Sequence, residues 1–214
     1  MSAESMTPHA EFWHYFQQAT ADLERSDEPA LKQLYRLLRK IDKRLYLHTG
    51  SKNSGGWDLI LSAEGVPELL PLLEDLVAQA PAVTGWGYVP SYDADFLFGQ
   101  RNAELYPDDG NGDTLYMMVR KGDRPWIIRD IDFSVVFPEE QDADDFLAYF
   151  DAPGSRLVKD AYTGAEGFTF QVTVTLPMHL TYANITRFEE KIATVAREYD
   201  GRNDGWGCFR ITEP

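Results

Sequence analysis

The chain has 214 residues, 43% hydrophobic and 13% aromatic, enough for packed cores in one large domain or two of about 100 residues each. Its formal net charge of -15 disfavours general nucleic-acid binding, which needs clustered Lys and Arg, and suits a basic protein partner or plain solubility. The single cysteine, Cys208, excludes a disulfide framework and a Cys-based zinc site. No apolar run approaches the roughly 18 residues of a membrane span. Met1 to His9 carry neither a basic nor an apolar signal region, so a cytoplasmic protein without membrane attachment is expected.

Ala10 to Leu23 reads as a helix, with Phe12, Trp13 and Phe16 at helical spacing. Glu28 and Pro29 open a second helix, whose stripe is Leu31, Leu34, Tyr35, Leu38 and Ile41. Arg36, Arg39, Lys40, Lys43 and Arg44 form the one dense basic patch of the sequence. Two strands, Arg44 to Thr49 and Trp57 to Ala63, flank a Ser51 to Gly56 hairpin loop. Val66 to Ala80 is an amphipathic helix ended by Pro81, and a strand starting at Gly85-Trp86-Gly87 follows. Ser91 to Asp113 reads as irregular, closing with a polar turn at Asp109 to Asp113. That turn has a calcium-loop start, but Thr114 and Arg120 stand where Gly and Glu are needed, so no calcium site is expected. Thr114 to Lys121 reads as a strand, and Lys121-Gly122-Asp123-Arg124-Pro125 as the domain boundary.

The second half gives Ile127 to Phe137 as a strand, Glu139 to Phe150 as a helix and Arg156 to Tyr162 as a strand. Phe168 to Leu176 alternates strictly: Phe168, Phe170, Val172, Val174 and Leu176 on one face, Thr and Gln on the other. Thr181 to Tyr199 is a helix, and a second Gly205-Trp206-Gly207 strand follows. The β-α-β-β-α-β order is that of a ferredoxin-like unit. The fold class expected is therefore α+β, with two α/β-sandwich domains at 1–123 and 124–214, the second having an antiparallel sheet.

Arg187 to Phe209, with Glu198, Tyr199, Asp200 and the Asp204-Gly205-Trp206-Gly207 motif, resembles the regulator of ribonuclease E activity, type B, family. The Phe168 to Leu176 strand and the helix carrying Asp142 to Phe146 share that likeness, which covers roughly the last 85 residues. The N-terminal half, on Phe12-Trp13, Phe16 and Leu59 to Leu69, is similar to an uncharacterised bacterial domain often joined to it. The resemblance implies a regulatory protein that inhibits ribonuclease E by protein–protein contact.

Trp86 and Trp206 are either core anchors beneath their helices or partner contacts; anchoring is the expectation. Asp142, Asp144, Asp145, Asp200, Asp204 and Trp206 are the candidate partner-binding residues, the acids suited to an Arg-rich segment. As helix N-terminal and turn charges, the same acids have an equally good structural reason to be there. His9, His14, His48 and His179 lack metal-site spacing, and no nucleophile motif or phosphate loop occurs. No catalytic residue, cofactor or metal is expected. The alternatives are a small-molecule-binding protein or small enzyme with a cleft between the domains, lined from Tyr88 to Tyr106, and a structural homodimer.

Overall fold

The computed structural model describes residues 6–52 and 55–212; Asn53 and Ser54 of the expected hairpin loop, and Met1 to Ser5, lie outside the described residues. The chain forms two compact units, Met1–Asn102 and Ala103–Pro214. Both are α+β.

In the first unit, α1 (Pro8–Glu24) and α2 (Glu28–Ile41) start with side-chain caps: Thr7 accepts from the Ala10 amide and Asp27 from the Ala30 amide. These bonds satisfy orphan donors of each first turn. Strands β1 (Tyr46–Ser51) and β2 (Trp57–Ser62) pair antiparallel, and β2 pairs parallel with β3 (Trp86–Ser91) across helix α3 (Leu70–Ala78). The sheet order is β1-β2-β3, which leaves β1 at an edge. A short helix, α4 (Ala94–Leu97), follows β3 in the stretch expected to be irregular.

Aromatic rings dominate this core. Phe16 meets Trp86 edge-on at 5.0 Å, and Trp13 meets Tyr88 at 5.1 Å. Trp57, the register partner of Trp86, stacks on it at 6.0 Å. Buried indole N–H groups need acceptors. Trp13 Nε1 donates to the Leu76 carbonyl (3.0 Å), and Trp86 Nε1 donates to Glu24 Oε1 (3.1 Å). Gly56 is required beside this strand: a Cβ there would lie 2.4 Å from the Gly85 carbonyl oxygen.

The second unit opens with α5 (Gly110–Arg120), then runs β4 (Arg129–Phe137), α6 (Glu140–Tyr149), β5 (Arg156–Ala161), β6 (Phe170–Met178), α7 (Tyr182–Ala196) and β7 (Arg202–Gly207). Its four strands lie in the order β5-β6-β4-β7 with every pairing antiparallel, so β4 to β7 keep the expected β-α-β-β-α-β order. Ile131, Phe133, Val135, Phe137, Val172 and Val174 are buried in the core that α6 and α7 share. Phe146, Ile185 and Ile192 are the helices' contributions.

Three expectations change here. Thr114 to Lys121 is not a strand, and the polar turn before it is not a hairpin: Asp109 caps α5, its Oδ1 accepting from the Gly112 amide at 2.8 Å. Leu115 then enters the second core, with Tyr116, Met118 and Val119 packed against it, a helical spacing. Gly112 is buried where a Cβ would collide with the Pro107 backbone, so the glycine that suggested a turn serves close packing.

Lys121 to Pro125, expected to divide the domains, lies inside the second unit. There Asp123 and Arg129 form a buried ion pair at 2.6 Å, with side chains 0% and 5% exposed. Asp123 Oδ1 also accepts from the Ile211 amide (2.9 Å), and Arg129 Nη1 donates to the Phe209 carbonyl (3.2 Å). Finally, the polar face of β6 is not uniformly wet. Thr175 is buried, donating to Asp132 Oδ1 (2.6 Å) and accepting from Arg156 Nη2 (3.2 Å).

Candidate functional site

The Asp204-Gly205-Trp206-Gly207 motif builds a bulge. Val135 faces Asn203 and Ser134 faces Gly205, so Asp204 is the extra residue of β7. Gly205 sits at φ +100°, which favours glycine. After the bulge Trp206 opposes Phe133 and packs half-buried against the second core. Its Nε1 donates to Asn111 Oδ1 at 2.7 Å. Asn111 Nδ2 donates to Glu189 Oε2 (2.6 Å), and Glu189 Oε1 accepts from Asn203 Nδ2 (2.9 Å). One carboxylate on α7 thus joins α5 to both flanks of the bulge. Tyr182 reinforces the join, its hydroxyl donating to Asp109 Oδ2 (2.6 Å); that bond holds the phenol above its usual pKa.

The candidate acids are held by different neighbours. Asp144 accepts from Lys159 Nζ (2.5 Å), which also reaches Glu140 (3.0 Å), and the two carboxylates raise the Lys159 pKa. Asp145 accepts from Gln141 Nε2 (3.0 Å) and lies near enough to Tyr199 to help raise that phenol's pKa, behind burial, Glu198 and Tyr149. Asp142 occupies the first turn of α6, where the helix dipole favours a carboxylate. Asp200 has φ +55° and ends the turn after α7. Asp204 accepts from the Tyr162 hydroxyl (2.7 Å), a bond that raises the Tyr162 phenol above its usual pKa, and Arg202 lies 3.7 Å from Asp204. Among the described residues, no hydrogen bond or ion pair links one of the six candidates to another. Sequence reasoning missed Asn111, Glu189, Asn203 and Tyr162, the side chains that hold Trp206 and Asp204 in place.

The sheet face turned away from α6 and α7 carries Asp130, Asp132, Ser134, Arg156, Val158, Asp160, Gln171, Thr173 and Arg202. Val158 is 37% exposed there. Arg202 lies over the Phe168 ring at 4.4 Å, a cation–π contact beside buried Val136. Near the far end, Asp130, Asp132, Arg156, Cys208 and the 92% exposed Phe209 line a hollow of about 360 Å³. Burial raises the Cys208 thiol pKa, which makes it a poor nucleophile. On the helical side a groove of about 320 Å³ opens between Ala152-Pro153 and α7, floored by Leu176, Met178 and Phe188 and edged by Arg187 and Lys191.

Among the described residues, no group of three or more His, Cys, Asp or Glu is placed to hold a metal ion. No helix among them is long and apolar enough to cross a membrane. The arrangement offers surfaces for recognition: a polar sheet face, an acidic helix end and an apolar groove.

Residues 108–208 match the family described as regulator of ribonuclease activity B. The match lies within the second unit and runs from the α5 cap past the end of β7, so the likeness read in the C-terminal half is established for that half; the N-terminal region has no family match. No curated protein matches the chain.

Proposed function

We propose that this protein regulates a ribonuclease by binding it, through the second unit and without catalysing a reaction. The observation that carries this reading is the coincidence of the family match with one compact body, Ala103–Pro214. That unit holds 21 acidic residues against 11 basic ones, a balance that repels RNA and favours a basic protein surface. Ribonuclease E is the candidate target, on the resemblance of the Asp204-Gly205-Trp206-Gly207 segment.

Within the candidate set, Asp144 and Asp204 already have cationic neighbours, whereas Asp142, Asp145 and Asp200 have no described ion-pair partner. The last three are the acids free to meet an Arg-rich segment through charge-assisted hydrogen bonds. Trp206, tied to Asn111, acts by holding the bulge in shape.

The test is cleavage of a model RNA by purified ribonuclease E with increasing amounts of this protein, together with co-purification. Slower cleavage and a salt-sensitive complex are expected. The triple replacement of Asp142, Asp145 and Asp200 by Asn should weaken both. An unchanged rate with no association would overturn the reading, and a stable dimer by solution mass with neither effect would favour a structural role.

A further inference from the structure

The first unit carries a surface that the second unit's family does not account for. Strand β1 pairs with β2 on one side only, so its other edge presents backbone N–H and C=O groups that meet no strand among the described residues. Along that edge runs a groove of about 410 Å³, lined by Leu31 and Tyr35 of α2, Leu47, His48 and Thr49 of β1, and Phe98. Successive strand side chains point to opposite faces. Leu47 and Thr49 therefore border the groove on the α2 side, while His48, whose ring meets Phe98 edge-on at 5.8 Å, borders it on the other. The groove straddles the strand edge, with a helix as one wall and an aromatic ring as the opposite wall. Phe98 is 50% exposed and Tyr46, at the start of β1, is 43% exposed.

The charge beside this groove is opposite to that of the whole protein. Six of the first unit's nine Lys and Arg lie between Lys32 and Arg44. Lys32 lines the groove itself. Arg39 covers the Tyr35 ring at 5.6 Å, Arg36 is exposed one helical turn before it on α2, and Lys43 is exposed in the turn that follows the helix.

We propose that β1 and α2 form a docking site for an extended acidic segment of a partner protein, added as a fourth strand. Its main chain continues the ladder on β1, its apolar side chains pack against Phe98 on one face, and its carboxylates meet Lys32, Arg36 and Arg39 on the α2 face. A second copy of this chain is the poorer occupant, because pairing two β1 edges would bring two basic ridges together. RNA is poorer too: apolar walls and a strand edge offer a phosphate backbone nothing, and the first unit is itself net negative. The proposal stands apart from the second unit's role and can fail or succeed without it.

The test selects a random peptide display library on the immobilised full chain. Enriched sequences should alternate apolar residues with Asp or Glu. Synthetic versions should slow amide exchange in β1 while leaving β3 unchanged. The double variant Arg36→Glu/Arg39→Glu and the separate variant Phe98→Ser should each weaken binding about tenfold or more, with circular dichroism unchanged. All three positions are at least half exposed or on the solvent side of α2, so these variants should fold. Failure of any peptide to enrich, peptides that bind both variants as well as the parent, or unaltered β1 exchange would overturn the proposal. So would displacement of the peptide by an unstructured RNA oligomer of mixed sequence that binds as tightly, or a solution dimer that either variant dissociates.

Discussion

Two tryptophans in the same tripeptide are held by opposite means. Trp86 stands in a regular parallel strand, 8% exposed, between Phe16 and Trp57, and its single polar bond reaches Glu24. Trp206 stands after a bulge, half-buried, and its position depends on the chain of hydrogen bonds through Asn111, Glu189 and Asn203. Apolar contact is non-directional and tolerates small shifts. A hydrogen-bonded network fixes one geometry and is sensitive to the loss of any member. The first copy therefore anchors mass, and the second sets shape.

Replacing the anchor should have the largest effect. Trp86→Ala is expected to destabilise the first unit by about 3–5 kcal/mol, the range for a large buried aromatic, in denaturant unfolding. Trp206→Ala should cost the second unit clearly less; equal losses would end the contrast. Next comes Glu189→Ala, which strands the donors of Asn111 and Asn203 and should cost about 1–3 kcal/mol, with Trp206 fluorescence altered before global unfolding. A smaller loss, about 1–2 kcal/mol, is expected for Gly205→Ala, because an L side chain is disfavoured at its positive φ. Gly207→Ala, with open space around it and no positive φ, is the matched control and should be close to neutral.

The smallest effect concerns Asp93, which is 4% exposed, caps α4 through Oδ1 and leaves Oδ2 without a hydrogen-bond partner. Burial, then the negative charges of Asp95 and Glu64, raise its pKa against two backbone hydrogen bonds that lower it. An acid raised in the folded state contributes stability that is complete below its unfolded pKa of about 3.9 and is lost as pH rises through the folded value. Asp93→Asn keeps an oxygen for the cap and removes the buried charge. It should raise the melting temperature of the first unit at neutral pH, and that advantage should vanish on acidification. An equal gain at both pH values would show that charge is not the cause.

The strictly patterned parts of the chain were legible. Val172 and Val174 alternate with polar residues, and the structure buries both against α6 and α7. The aromatic spacing of Phe12, Trp13 and Phe16 announced the first core in the same way. What was not legible depends on partners distant in sequence. Gly110 and Gly112 read as turn formers because local propensity ignores the Pro107 backbone that Gly112 must admit and the α7 surface that completes α5. Glu189 and Glu190 look equivalent in the sequence. Only the helical phase set by Ile185 and Ile192 hints that Glu189 turns inward, and only the bulge explains what it holds. The bulge itself is one unpaired residue, invisible until the register of β4 and β7 is known.

The clasp between Asp123, Arg129, Phe209 and Ile211 brings residues far apart in sequence to one point, at the entry to β4 and just after β7. The segment that enters β4 and the segment that leaves β7 are therefore tied to each other, so fraying of either one exposes the buried charge of the other.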